Sequence, residues 1–384
     1  MKSIRFGIIG LGSMGAVHAQ TILEGKVPRA TLTAVCDTEV DLTPFAPAKP
    51  FTSSAELIRS GLVDAVVVAT PHFSHTNIGI DALSQGLHLL MEKPISVHKA
   101  DAQRLISAHK NQAQVFAAMF NQRTNGSYLK LRELVQKGEL GKIHRVNWII
   151  TNWFRSQAYY NCSEWRATWA GEGGGVLLNQ CPHNLDLLQW IFGMPSAVRA
   201  FCRNGHYHDI EVEDDVTAYF EFPNGATGVF ITSTGEAPGT NRLEITAENG
   251  RVVLEGGRIV WNRTEVPISD YSNTTLERWA GPKVTDEQIP SEGAGEQHLG
   301  IFKNFVAAVL DGEPLIAPAA EGIHSVELAN AIIHSSHLGK TLPLPIGARA
   351  YAGFLSKKVA ASRPKTNVVK LNGPRDLANS FGSA

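Results

Sequence analysis

The chain has 384 residues, 35 of them basic and 36 acidic, for a net charge of −1; 43% are hydrophobic and 18% charged. That length exceeds what one hydrophobic core usually holds, so two domains are expected. The balanced charge excludes a general nucleic-acid binder, which carries a basic excess, and no apolar run approaches the roughly 20 residues that span a bilayer, so neither nucleic acid nor membrane is an expected partner.

The N-terminus runs from Met1-Lys2-Ser3 straight into an apolar segment, without the charged, apolar and small-residue order of a secretory signal. Four cysteines, Cys36, Cys162, Cys181 and Cys202, form no CxxC pair. A reduced, cytoplasmic protein without a cysteine metal cluster is expected. Continuous apolar runs at 4–9, 31–35, 65–69, 87–91 and 114–120 alternate with helical patterns such as 77–83 and 100–109. Runs without polar alternation are strands buried on both faces, and alternating β and α elements give a doubly wound parallel sheet. After about residue 140 the pattern changes. An extended stretch at 143–152 is followed by strands at 216–222, 226–233 and 243–246, separated by Pro223-Asn224-Gly225 and Glu248-Asn249-Gly250 turns. Helical patterns return at 296–310 and 320–336. The second half therefore reads as an α+β domain on a large, mostly antiparallel open sheet. Residues after Leu355 are basic and polar, a tail expected to wrap a surface or to be mobile.

Directly after the first apolar run stands Gly10-Leu11-Gly12-Ser13-Met14-Gly15, a GxGxxG between a strand and a helical pattern. The first glycine permits the tight turn, the second lets the backbone approach a pyrophosphate, and the third lets helix and strand pack closely. Backbone N–H groups of Ser13 and Met14 at the helix start then face the phosphates. Asp37 ends the second run, where an acidic group accepts from the adenosine ribose hydroxyls. Thr38 comes next, not an arginine suited to a 2′-phosphate, which favours NAD over NADP. The expected layout is a Rossmann domain over 1–122, a substrate-binding and oligomerisation domain over 123–352, and a tail over 353–384.

Three further segments are Thr70-Pro71-His72-Phe73-Ser74-His75, Glu92-Lys93-Pro94, and Gly173-Gly174-Gly175 leading to Asn179, His183 and Asp186. With the glycine turn, they resemble the Gfo/Idh/MocA family of oxidoreductases over roughly residues 3–350. The resemblance implies an open C-terminal sheet that commonly makes dimer or tetramer contacts, and sugar or cyclic polyol substrates. It maps the family's catalytic lysine to Lys93 and its histidine to His183, and cofactor contacts to Thr70, Pro71, His75, Glu92, Trp165 and Arg166. The position four before the histidine is often aspartate in that family; here it is Asn179. An amide orients a hydroxyl but takes no proton, so a carboxylate-assisted relay is in doubt.

Lys93 suits stabilisation of negative charge on a reacting oxygen, and His183 suits general acid–base work, with an ordinary pKa of about 6.5. Either is available to remove the hydroxyl proton. Pro94 disfavours helical geometry at Lys93, which is expected extended at a strand end, where doubly wound folds keep their ligands. At helical spacing Asn179, His183, Asp186 and Trp190 share one arc, unless the helix starts only at Pro182, which displaces Asn179. Asp186 is expected to orient or pack. Trp153, Arg155, Tyr159, Tyr160, Trp165 and Arg166 form the aromatic and arginine texture of a sugar pocket. Asn121 and Arg123 end the last strand of the first domain and are expected to face the cleft. His206-Tyr207-His208-Asp209 reads as a polar loop in preference to a metal site.

The leading reading is an NAD-dependent dehydrogenase of a sugar, glycoside or polyol. A second is a glycosidase that oxidises a ring hydroxyl transiently and returns the hydride, with the arginines suited to an anionic sugar. A third is a sensor that binds sugar and NAD without catalysis.

Overall fold

The computed structural model describes residues 2–366 and 368–369. The first layer contains strands β1 (Ile4–Ile9), β2 (Ala30–Cys36), β3 (Lys49–Phe51), β4 (Ala65–Val68), β5 (His88–Met91) and β6 (Phe116–Ala118). Between them run helices α1 (Ser13–Leu23), α2 (Ser54–Arg59), α3 (His72–Ser84) and α4 (Lys99–Ala108). The strand order is β3-β2-β1-β4-β5-β6, with every pair parallel. Order reverses beside β1, so the crevice at the carboxyl ends of β1 and β4 is where such a sheet takes a ligand. All four residues of β4, Ala65 to Val68, are buried, as strands covered on both faces must be. The short β3 carries two exposed residues and a proline, too little pattern to show in the sequence.

Helix α5 (Gly126–Gln136) leads to the second layer, with β7 (Ile143–Ile150), α6 (Gln157–Asn161), α7 (Pro182–Phe192), β8 (Ala197–Asn204), β9 (Glu213–Glu221), β10 (Thr227–Ser233), β11 (Asn241–Ala247), β12 (Gly250–Glu255), β13 (Arg258–Thr264), α8 (Ile268–Thr274) and β14 (Val284–Ile289). Helices α9 (Gln297–Asp311) and α10 (Gly322–Leu338), the short β15 (Leu342–Pro343) and α11 (Ala348–Ala360) complete the order. Nine strands pair in the order β14-β13-β12-β11-β7-β10-β9-β8-β15. All pairs are antiparallel except β7 with β10. In β9, Val216, Ala218 and Phe220 point inward while Thr217, Tyr219 and Glu221 are exposed. The inner face packs with Leu185 and Leu188 of α7 and with Ala329 and Ile332 of α10.

Helix α9 does not stay with the second sheet. Phe302 and Phe305 bury in the first core, with their rings 6.0 and 5.9 Å from Phe6. Helical periodicity shows that a face is apolar, not which core receives it. The tail also begins later than the sequence suggests. Residues 353–360 belong to α11, whose Tyr351 and Leu355 are buried. The next residues are bonded down as a strap: the Val369 N–H donates to Asn161 O at 3.0 Å, and Lys365 Nζ donates to Tyr160 O at 2.5 Å. Residues 367 and 370–384 of the expected tail lie outside the described residues. Among the described residues, no helix is long and apolar enough to cross a membrane.

Candidate functional site

The glycine turn is forced by space. Gly10 has φ of +91°, in the left-handed region, and a Cβ there would stand 2.7 Å from the Ala69 carbonyl. A Cβ on Gly15 would stand 1.8 Å from Gly10 O. Gly12 caps α1 and has no side chain to offer the N–H groups of its first turn. Asp37 comes directly after β2 and ties the turn from outside: Oδ2 accepts from the Leu11 N–H at 2.6 Å, while Oδ1 accepts from Glu39 and Val40.

Thr70 and Pro71 lie just beyond β4, with Pro71 capping α3. Thr70 Oγ1 is buried and has no partner among the described residues. His75, expected to contact cofactor, is instead a brace. Its two ring nitrogens face Pro94 O and Thr70 O, each at 2.8 Å, and the ring is buried. Glu92 is likewise turned inward. Its Oε1 meets His18 Nε2 at 2.6 Å, and its Oε2 accepts from the Lys93 N–H at 3.1 Å. A carboxylate so placed holds the lysine backbone.

Lys93 projects from the end of β5, and its Nζ donates to Asn179 O at 2.9 Å. Burial pulls its pKa below the ordinary lysine value; Glu92 opposes this, and the Arg166 charge adds to it. His183 sits in the first turn of α7, buried, with its ring 6.3 Å from the Phe120 ring and edge-on to it. Burial, then the Lys93 and His298 charges, hold its pKa well below 6.5. Its Nδ1 has no partner among the described residues. Asn121 lies just past β6; its Nδ2 donates to Gln297 Oε1 at 2.8 Å, and its Oδ1 is buried without a partner among the described residues. Gln297 itself holds a φ of +52°, an uncommon conformation for a residue with a Cβ.

Helix α7 starts at Pro182, so Asn179 is not on the arc with His183. The proline ring fits only the first helical turn, and Asn179 stays in the preceding turns. There its Nδ2 donates to Glu172, and its Oδ1 accepts from the Tyr159 hydroxyl at 3.4 Å. Arg166 Nη1 donates to the Tyr159 oxygen at 2.6 Å and stands 3.4 Å from Glu172 Oε1. The Tyr159 ring lies between two guanidinium groups, Arg166 at 4.5 Å and Arg155 at 5.1 Å. Trp165 meets His72 edge-on at 5.9 Å, and Trp153 packs partly buried on the second core with Arg155 5.8 Å from its ring. Tyr160 is buried, its hydroxyl donating to Thr234 Oγ1 at 2.8 Å.

Arg123 departs from the sequence expectation. It is 1% exposed, and its guanidinium forks onto Asp186 with two bonds of 2.7 Å and reaches Glu321 at 2.5 Å. A buried arginine needs such partners, and with the Ile316 carbonyl they take four of its five N–H donors. Asp186 thereby orients Arg123 rather than His183. The His206–Asp209 segment is a loop gathered on Asp214, which accepts from the N–H groups of His206, Tyr207 and His208. His208 Nε2 also lies 2.7 Å from Arg155 O, so this loop supports the arginine.

Four residues of the site were not singled out from sequence: His18, Glu172, His298 and Glu213. Glu172 directly precedes the triple glycine, a carboxylate beside a forced turn that could have marked it. Glu213 Oε1 accepts from the Gly175 and Leu177 N–H groups and so shapes that turn. A dinucleotide fits what is present. The glycines allow its approach, and Thr70 Oγ1 and Asn121 Oδ1 are buried polar atoms without partners among the described residues.

Residues 4–120 match the model of an oxidoreductase family with an NAD-binding Rossmann fold, and residues 128–253 match the GFO/IDH/MocA C-terminal domain. The chain is 27% identical over 330 residues to myo-inositol 2-dehydrogenase of Thermotoga maritima, covering 83% of this chain and 91% of that one. It is 24% identical to levoglucosan dehydrogenase of Pseudarthrobacter phenanthrenivorans, covering 88% and 97%. Among solved structures, the WlbA dehydrogenase from Bordetella pertussis in complex with NADH and UDP-GlcNAcA superposes with a TM-score of 0.75 at 26% identity, covering 90% of this chain and 100% of that one.

Proposed function

Since the chain belongs to the Gfo/Idh/MocA family of NAD-binding oxidoreductases, we propose that it oxidises or reduces a sugar or polyol at a carbon bearing oxygen, with Lys93 and His183 as the catalytic pair. One observation supports this reading: Lys93 Nζ donates to Asn179 O, four residues before His183, and stands close enough to the His183 ring to act on its charge. NAD, when bound, supplies the hydride acceptor. Lys93 donates to the reacting oxygen and stabilises its developing negative charge. His183, held neutral by burial, accepts the hydroxyl proton. Asn179 presents a carbonyl oxygen that aims Lys93 Nζ, and its amide takes no proton. His18 and Glu92 fix the lysine backbone. Trp165 offers a ring face to the C–H side of a sugar, while Tyr159 holds Arg155 and Arg166 and Trp153 lies beside Arg155.

The substrate class is supported by the relatives named for inositol and levoglucosan dehydrogenation. A panel of sugars, polyols and glycosides incubated with NAD tests the reading, with NADH and free aglycone both monitored. Stoichiometric NADH is expected. Aglycone release without net NADH would replace the reading by a redox-neutral glycosidase.

The outer face of the second sheet is assigned to contact with a second copy of the chain. Phe201 and Tyr219 lie exposed on that face, at 61% and 42%. Light scattering should give a dimer or tetramer that Phe201→Glu weakens; a monomeric wild-type chain would contradict it. The four cysteines are free thiols, which suits a cytoplasmic location.

A further inference from the structure

Four cationic side chains gather on the substrate side of the site from separate parts of the chain. Lys93 lies just past β5, Arg155 just past β7, Arg166 between α6 and α7, and Lys365 on the strap beyond α11. Arg155 and Arg166 sit on the Tyr159 ring, and Lys93 and Lys365 both stand close enough to Arg166 and Glu172 to feel their charges. The carboxylate that both lysines and Arg166 feel is Glu172, which is already committed. It accepts from the Ala167 N–H at 2.5 Å and from Asn179 Nδ2, and meets Arg166. Glu211, just before β9, is taken by the N–H groups of Trp169 and Arg363 and by the Ser362 hydroxyl. Glu92, beside Lys93, is likewise taken by His18 and the Lys93 N–H. Among the described residues, four positive charges therefore face three carboxylates, each already engaged.

The donors are also in excess. Arg166 Nε and Trp153 Nε1 are buried N–H groups without an acceptor among the described residues. A buried donor without an acceptor is costly, and an oxygen-rich anion would satisfy it. The strap adds the fourth charge from outside the matched family domains, which end at residue 253. It is fastened over α6, the helix that carries Tyr159, by Lys365 onto Tyr160 O and Val369 onto Asn161 O.

We infer that the substrate is a sugar carrying an anionic group, a carboxylate or a phosphate, and that Arg155, Arg166 and Lys365 bind that group. This rests on the dehydrogenase reading of the same site. A planar guanidinium fork matches either oxyanion, and Lys365 contributes as a point charge. Two arms distinguish the sources: uronic acids against a sugar phosphate.

The test is calorimetry on the full chain with NADH present. Glucuronate, galacturonate and glucose 6-phosphate are titrated against their neutral parents, glucose and galactose. At least one anionic sugar should bind roughly tenfold or more tightly than its parent, and added salt should narrow the gap. Lys365→Gln should reduce the gap severalfold while leaving binding of the neutral parent nearly unchanged, and Arg155→Gln should reduce the gap as well. Lys365 is half-exposed on the strap, so its replacement tests the idea even where an arginine variant folds poorly. Neutral parents binding as well as the acids and phosphate, or a gap that neither variant alters, would overturn the inference. NADH formation from a neutral sugar, lost in Lys93→Ala, would in that case leave the dehydrogenase reading standing. Absence of NAD binding would sink the reading instead, and the same titrations without cofactor would still report the anion preference.

Discussion

His18 Nε2 and Glu92 Oε1 lie 2.6 Å apart in a buried seam between the helix next to the glycine turn and the strand that delivers Lys93. Burial alone would raise the Glu92 pKa. The His18 hydrogen bond and charge, with the Lys93 charge, outweigh it and hold the carboxyl far below the usual range. Because the second oxygen accepts from the Lys93 N–H, one ionised carboxylate couples the dinucleotide helix to the proposed catalytic lysine.

Removing His18 leaves that charge buried and unpaired, which typically costs about 3 kcal/mol. His18→Ala should lower unfolding stability in urea by about that amount and reduce kcat. Glu92→Gln in the same chain should recover part of the stability, since no charge then remains. A double variant as unstable as the sum of the two singles would contradict the coupling.

Lys93→Ala should lower turnover by roughly 100-fold or more while NAD binding by calorimetry stays within a few-fold. The lysine aims at Asn179 O, not at the glycine turn, so its loss spares the pyrophosphate edge. Undiminished turnover would show that another group carries the chemistry.

Asp37→Ala should remove most of the preference for NAD over NADP. It should also weaken binding of both, because Leu11 loses its acceptor and the turn its outer tie. The ratio of the two dissociation constants is the readout, and a ratio unchanged from wild type would contradict the ribose role.

Glu213 offers a test by pH. Burial pushes its carboxyl up to about 7, against the Gly175 and Leu177 N–H donors that favour the charged form. The unfolded value is about 4.3, so the native state binds this proton more tightly, and stability falls as pH rises from about 4.3 through 7. The span corresponds to at most about 4 kcal/mol. Glu213→Gln cannot ionise, so relative to wild type it should gain stability between pH 5 and pH 8. Parallel stability curves would contradict the assignment.

The features legible in the sequence are those fixed over short distances. Gly10, Gly12, Gly15 and Asp37 are read from one turn and the strand beside it, and Gly10 and Gly15 stand where a Cβ would collide. Lys93 and His183 were visible as a motif, and Pro182 flagged the displacement of Asn179. What stayed hidden depends on pairing across the chain. Arg123 looked like a cleft residue because its partner Asp186 is 63 positions away, and two buried ends meeting leave no local trace. Likewise, Lys365 joins the site from 205 positions beyond Tyr160. His18 reads as one more polar residue in a helix until Glu92 is placed against it. The apolar face of α9 was legible, whereas its docking on Phe6 was not.

The most direct test of the account is a single-turnover reaction with NAD and a carbohydrate substrate from the panel deuterated at the reacting carbon. Deuterium recovered on the nicotinamide of NADH, one for each carbonyl formed and abolished by Lys93→Ala, is the predicted result. Conversion of substrate with the label retained on the sugar, or with no NADH at the end, would contradict it.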